Sequence, residues 1–282
     1  MARSVILWVI AIVITVASAA YQRVTGPAYP LGGEAFLGET SVYYKLERSH
    51  GGDDDHRVAI KSADQSIDGV LSYKRYKTDE DWTDLPMNRE EEYLVGHLPH
   101  QPPAGKLQYW VKLTQGSDEV TLPEAGSVVI RFKGAVPPWA LMPHIVFMFL
   151  AMLVSTRAGL QAVVRSKNLK KYTVWSIGLL LLGGLIFGPL VQKFAFGEYW
   201  TGVPLGIDLT DNKTLIAFVG WLVATVAVFK SRSPRAFVLG ASILMLGIFL
   251  IPHSVFGSEL DYSEMETMKM SFSLMQTYRF LV

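Results

Sequence analysis

The chain has 282 residues, half of them hydrophobic, and a mean hydropathy of +0.26, which leaves room for one or two domains and is apolar for a soluble protein. Its net charge is +1 and it has no cysteine, which excludes disulfides, thiolate metal sites and cysteine nucleophiles. Its basic residues cluster at the ends of apolar runs and form no stripe interleaved with aromatics, so a nucleic-acid partner is not expected.

The first apolar run, Ser4 to Ala20, follows a short basic start at Arg3. Ala17-Ser18-Ala19 resembles a signal-peptidase site, but apolar residues continue unbroken into it, which favours a retained signal anchor over residues 1–21. In either case, the chain from residue 22 onward is expected outside the cytoplasm.

From 22 to 136 the texture changes to short alternating segments separated by polar turns. Ser41–Leu46, Gly69–Tyr76, Tyr93–Leu98, Lys106–Leu113 and Val128–Phe132 read as strands of a small antiparallel sandwich. The segment Leu98-Pro-His-Gln-Pro-Pro-Ala-Gly-Lys-Leu-Gln-Tyr-Trp-Val resembles the E–F corner of fibronectin type III-like domains. That resemblance implies an Ig-like sandwich with Tyr109 as the corner tyrosine, its hydroxyl bonded to the E–F backbone. It implies nothing about chemistry. Asp53-Asp54-Asp55-His56 and Asp79-Glu80-Asp81 lack the ligand order of a calcium loop and read as solvated turns.

Four further runs, Trp139–Val154, Val174–Val191, Leu215–Phe229 and Ala236–Ile251, read as membrane helices of a transmembrane domain over 137–253. Pro189 is expected to kink the second of them. With a cytoplasmic N-terminus, the inner segments hold Arg3, Arg157, Arg165, Lys167, Lys170, Lys171, Lys230, Arg232 and Arg235. They hold none of the chain's 25 acids, and the positive-inside rule, which counts the bases, favours this orientation. The strand domain and the C-terminus are then extracytoplasmic. Residues 254–282 read as an amphipathic helix that starts at Ser258 and Asp261 and carries a methionine stripe of the kind used for packing.

The fold class is thus an α+β membrane protein. Its candidate chemistry gathers at one face: His144, about 9 Å inside its helix, His253 just after the last helix, and Glu198, Asp208 and Asp211 in the 193–214 loop. Two imidazoles with carboxylates are competent to hold a divalent metal or to pass protons. Structural roles compete with this. His144 has a backbone carbonyl to bond, His253 the carbonyls ending the last helix to cap, and Asp211 the start of the fourth run to cap. The loop, rich in glycine and proline, is expected to fold over the helix ends, with the residues after His253 packed on it and a shared polar pocket beneath. Asn212-Lys-Thr is formally a glycosylation sequon at the membrane edge. Phosphate-binding, serine-hydrolase, zinc-protease and dinucleotide motifs do not occur.

The stretches Phe196–Gly202 and Ile251–Tyr262 resemble an uncharacterised group of bacterial polytopic membrane proteins, which implies a cytoplasmic-membrane location and no activity. On these readings the chain is expected to be a non-enzymatic membrane scaffold or complex subunit. Its partners would be the lipid bilayer and another membrane or extracytoplasmic protein. The alternative is a metal-dependent enzyme or small transporter built on the outer-face set.

Overall fold

The computed structural model describes residues 2–165, 168–252, 257 and 259–263. The chain divides into two compact units, a helical one formed by 1–29 with 135–258 and a strand unit formed by 30–134 with 259–282.

In the helical unit, α1 (Ala2–Thr25), α2 (Pro138–Val163), the continuous helical stretch Leu169–Phe196 and α5 (Leu209–Lys230) are each long and apolar enough to cross a membrane. The last helix, α6 (Pro234–Leu250), has 17 residues and is shorter than the others. At 1.5 Å per residue it falls a few ångströms short of a typical ~30 Å hydrocarbon layer. The helices outrun the expected apolar runs because their ends are amphipathic. The second continues through Ser155, Thr156 and Arg157, all buried.

The Leu169–Phe196 stretch comprises α3 (Leu169–Leu180), a wide π-helical turn at Leu181–Phe187 and α4 (Gly188–Phe196). Pro189 has no N–H for the preceding turn, so the deformation expected at that proline lies just before it, as a widened coil. Gly183 and Gly184 sit in this turn, and a Cβ on Gly183 would lie 2.9 Å from the backbone nitrogen of Met148. The turn therefore lets two helices approach closely. The bundle core is small-residue packing of Ala151, Ala158, Ala217 and Ala224 around the fully buried Trp221.

The strand unit forms three hydrogen-bonded sheets. The strands are β1 (Leu31–Leu37), β2 (Thr40–Leu46), β3 (Ser49–Gly51), β4 (His56–Lys61), β5 (Asp68–Arg75), β6 (Thr83–Pro86), β7 (Asn88–Glu90), β8 (Tyr93–Leu98), β9 (Lys106–Gln115), β10 (Asp118–Leu122) and β11 (Val128–Lys133). One sheet runs β3-β11-β9-β5-β6, with β10 also on β9. A second runs β4-β8-β7, and β1 pairs only with β2. All pairings are antiparallel except β3 with β11. Alternation sets the core: Leu107, Tyr109, Val111 and Leu113 of β9 and Val128, Ile130 and Phe132 of β11 point inward.

Tyr109 is completely buried, and burial pushes its phenol far above the usual range. Its hydroxyl donates to the Glu47 carbonyl at 2.8 Å, just past β2, and so not to the 98–105 corner as expected. The corner takes a different partner. Tyr262, from the segment after the last helix, accepts from the Lys106 N–H at 2.9 Å and lies 3.1 Å from Gln101 Oε1. Burial pushes the Tyr262 pKa up to about 12. Glu259 ion-pairs with Lys106 and Lys77 at 2.9 and 3.2 Å, and Asp261 caps Ser263. Residues 259–263 thus belong to the strand unit. The rest of the expected C-terminal helix lies outside the described residues.

His56 faces the core, with its Nδ1 3.2 Å from that of His50, whose Nε2 lies 2.9 Å from the Asp54 carbonyl oxygen. Burial, reinforced by His50, depresses its pKa to about 4 from 6.5. A depressed imidazole binds fewer protons when folded, so its contribution is present above pH 6.5 and is lost as the pH falls toward 4. We expect the strand unit to lose about 3 kcal/mol across that window. The loss should be measurable by denaturation of the full chain at stepped pH and largely absent in His56→Leu. A flat wild-type profile would refute the assignment.

Candidate functional site

The loop between α4 and α5 is ordered by its own side chains. The helix before it ends at Gly197, whose N–H bonds the Lys193 carbonyl at 2.9 Å. Lys193 reaches the Gly197 carbonyl and lies over the Tyr199 ring. Trp200 Nε1 donates to the Val203 carbonyl at 3.1 Å, and Gln192 donates to Thr201 Oγ1 at 2.7 Å. Two glycines permit the fold-back: a Cβ on Gly202 would lie 2.6 Å from Asp211 Cβ, and one on Gly206 would lie 2.3 Å from the Thr201 carbonyl oxygen.

The first turn of α5, Asp208-Leu-Thr-Asp-Asn-Lys-Thr, is the clasp that holds this loop. Asp208 caps the helix, accepting from the Thr210 and Asp211 amides at 2.7 and 3.4 Å. The cap was expected at Asp211. Two acids three residues apart both fit an N-cap, and the helix starts at Leu209, six residues before the apolar run. Asp211 instead turns back, with Oδ2 accepting the amides of Thr201 and Gly202 at 2.6 and 3.0 Å. Asn212 accepts the Val203 amide at 2.8 Å, so the side chain of the sequon asparagine is already committed.

Lys213, which sequence reasoning passed over, is 5% exposed and donates to the Ile251 and Pro252 carbonyls at 2.9 and 3.4 Å. With Gln22 of α1, which donates to Ile251 at 3.2 Å, it satisfies the carbonyls at the end of α6. That is the role expected of His253, which lies outside the described residues.

His144 is half-buried in α2, with its Nδ1 2.8 Å from the Gly183 carbonyl. That carbonyl also receives the Gly188 N–H across the π-helical turn. A carbonyl only accepts, so Nδ1 carries the proton and Nε2 is the nitrogen left for a ligand. His144 lines a cavity of about 140 Å³, together with Gln22, Met148, Met152 and Phe249.

Of the expected metal set, Asp208 and Asp211 accept backbone amides and His144 Nδ1 bonds the Gly183 carbonyl. Among the described residues no group of three histidine or acidic side chains is placed to hold a metal. His253 lies outside the described residues, and Glu198 lies on the exposed part of the loop.

A second residue escaped sequence reasoning. Arg157, counted among the loop bases, is 2% exposed within α2. It bonds Gln161, and its guanidinium carbon lies 5.4 Å from the ring centroid of Trp8 and 4.8 Å from that of Tyr172. These two rings meet edge-on at 5.8 Å. Arg157 Nε has no hydrogen-bond partner among the described residues. A cation at this depth is expensive and is ordinarily tied to function or to specific packing. The signal in the sequence was its place only three residues past the apolar run that ends at Val154, in a helix that continues to Val163. Compared with known proteins, the chain matches no family model and no curated sequence.

Proposed function

We propose that the chain is an integral membrane scaffold or complex subunit. In this reading the N-terminus is cytoplasmic, α1 is retained, and the strand unit is an extracytoplasmic docking module. The observation that carries the docking role is the outer face of the β1–β2 hairpin. Phe36 and Tyr43 are 66% and 67% exposed there, diagonal neighbours on a two-stranded sheet. Large aromatic rings left open on a small domain are characteristic of interaction surfaces.

The orientation is supported by the charge distribution. Arg3 reaches the Val164 carbonyl at 3.5 Å, so the start of α1 and the end of α2 share one end with the bases. Retention of α1 is supported by its packing on α2 and α6 and by Trp8 against Arg157. An Ig-like, fibronectin type III-like descent for the strand unit is supported by the order β11-β9-β5-β6 beside β8-β4, which parallels the G-F-C-C′ and E-B strands of such sandwiches.

The test is site-specific photo-crosslinking in cells, with the probe at position 36 or 43 and, as control, at the exposed Lys61 on β4. A discrete crosslinked species from 36 and 43, but not from 61, is the expected result. Equal labelling from all three, or none, would remove the docking role. The second reading, a metal-dependent enzyme or small transporter, rests on one observation, the uncommitted Nε2 of His144 beside a cavity. Elemental analysis of the purified chain and of His144→Ala addresses it: metal bound only by the wild type supports it, and metal in neither protein rejects the metal-dependent form.

A further inference from the structure

At the end of the helical unit opposite the clasp, a hollow of about 750 Å³ opens where α2 and α5 finish and α3 and α6 begin. Arg165, Lys170, Arg232 and Arg235 line it, against apolar walls that include Val163 and Leu239. The helix dipoles do not make this hollow positive. Two helices end there and two start, so their terminal partial charges offset; the four side chains set the field.

No acid balances them. Residues 1–29 and 135–258 contain only Glu198, Asp208 and Asp211, all at the clasp end, roughly 30 Å away along α5. Keeping bases on one side of a membrane is satisfied by bases anywhere in the connecting segments. Here four of them converge on one concavity, which a topological preference alone does not require.

We propose that this hollow binds the phosphate of an anionic glycerophospholipid. The phosphate matches the three arginine forks and the lysine charge. A lipid is favoured over a soluble phosphate because the walls are half apolar and the hollow sits at the ends of membrane-length helices, the level of headgroups. The site is independent of the docking role proposed for the strand unit.

The test uses the full chain in mild detergent, titrated with phosphatidylglycerol or phosphatidylcholine and read by native mass spectrometry. Phosphatidylglycerol should bind at least about tenfold tighter than phosphatidylcholine. The Arg232→Gln/Arg235→Gln variant should lose roughly 30-fold of that affinity, about fivefold per charge. A Lys45→Gln/Lys61→Gln variant, which removes the same charge from the strand unit, should bind as the wild type does. Equal binding of the two lipids, or equal losses in both variants, overturns the proposal. Competition by millimolar inorganic phosphate that abolishes the lipid preference would assign the site to a soluble phosphate and overturn the lipid.

Discussion

Asp211→Ala is expected to destabilise the helical unit by about 4 kcal/mol and to release residues 197–208 from the helix ends. The carboxylate is 6% exposed and accepts two backbone amides, of Thr201 and Gly202, with Thr201 Oγ1 3.2 Å from the same oxygen. Hydrogen bonds to a buried charge contribute about 1.5–3 kcal/mol each, and removing the acceptor leaves both amides unsatisfied close to hydrocarbon. Asp211→Asn keeps an acceptor oxygen and should cost roughly 1–2 kcal/mol. Thermal unfolding in detergent gives the ranking, and amide exchange over 197–208 locates it. If alanine and asparagine behave alike, or exchange in the loop is unchanged, the acid is not what holds the loop.

Trp221→Ala should be the most damaging single change in the bundle interior, by about 3 kcal/mol. The side chain is completely buried on α5, and its Nε1 lies 3.1 Å from the Met245 sulfur of α6. In water the loss of such a side chain costs about 3–5 kcal/mol, part of it transfer from solvent. Between membrane helices lipid tails are as apolar as the core, so the cavity and lost dispersion contacts dominate and the figure sits at the lower end. Trp221→Phe preserves most of the volume and should cost about 1 kcal/mol. The check is the midpoint of detergent-induced unfolding, with Trp139→Ala, exposed at 59%, as the control. Equal shifts at the two positions would mean that α5 and α6 are not held by this contact.

How far these features were legible depends on whether they are local. β8 falls at Tyr93–Leu98 as the alternation indicated, and the five apolar runs are all helices. β1 was missed because Gly32 and Gly33 dilute its pattern, and β4 because its inward positions begin with a histidine, His56. The ordered nature of the 193–214 loop could be read from its glycines, tyrosine and tryptophan. What each acid in it does could not. Asp208 and Asp211 are equivalent as local cap candidates, and only the position of the Thr201 and Gly202 amides distinguishes them. What Lys213 and Arg157 bond was invisible for the same reason. Their partners, the end of α6 for one and the rings of α1 and α3 for the other, lie far away in the chain.

The contact between Trp8 and Arg157 has a consequence for the timing of synthesis. The ring emerges from the ribosome before the strand segment 30–134, and the guanidinium that it covers follows only after that segment has been made. At about 5–20 residues per second, the first helix waits roughly 10–30 s for its partner, long enough for a small strand domain to fold in the interval. The contact between α1 and α2 therefore closes only after the strand segment 30–134 has been made, and α1 stands alone until α2 arrives. Its exposed valines and isoleucines, from Val5 to Val16, suit it to that solitary stage.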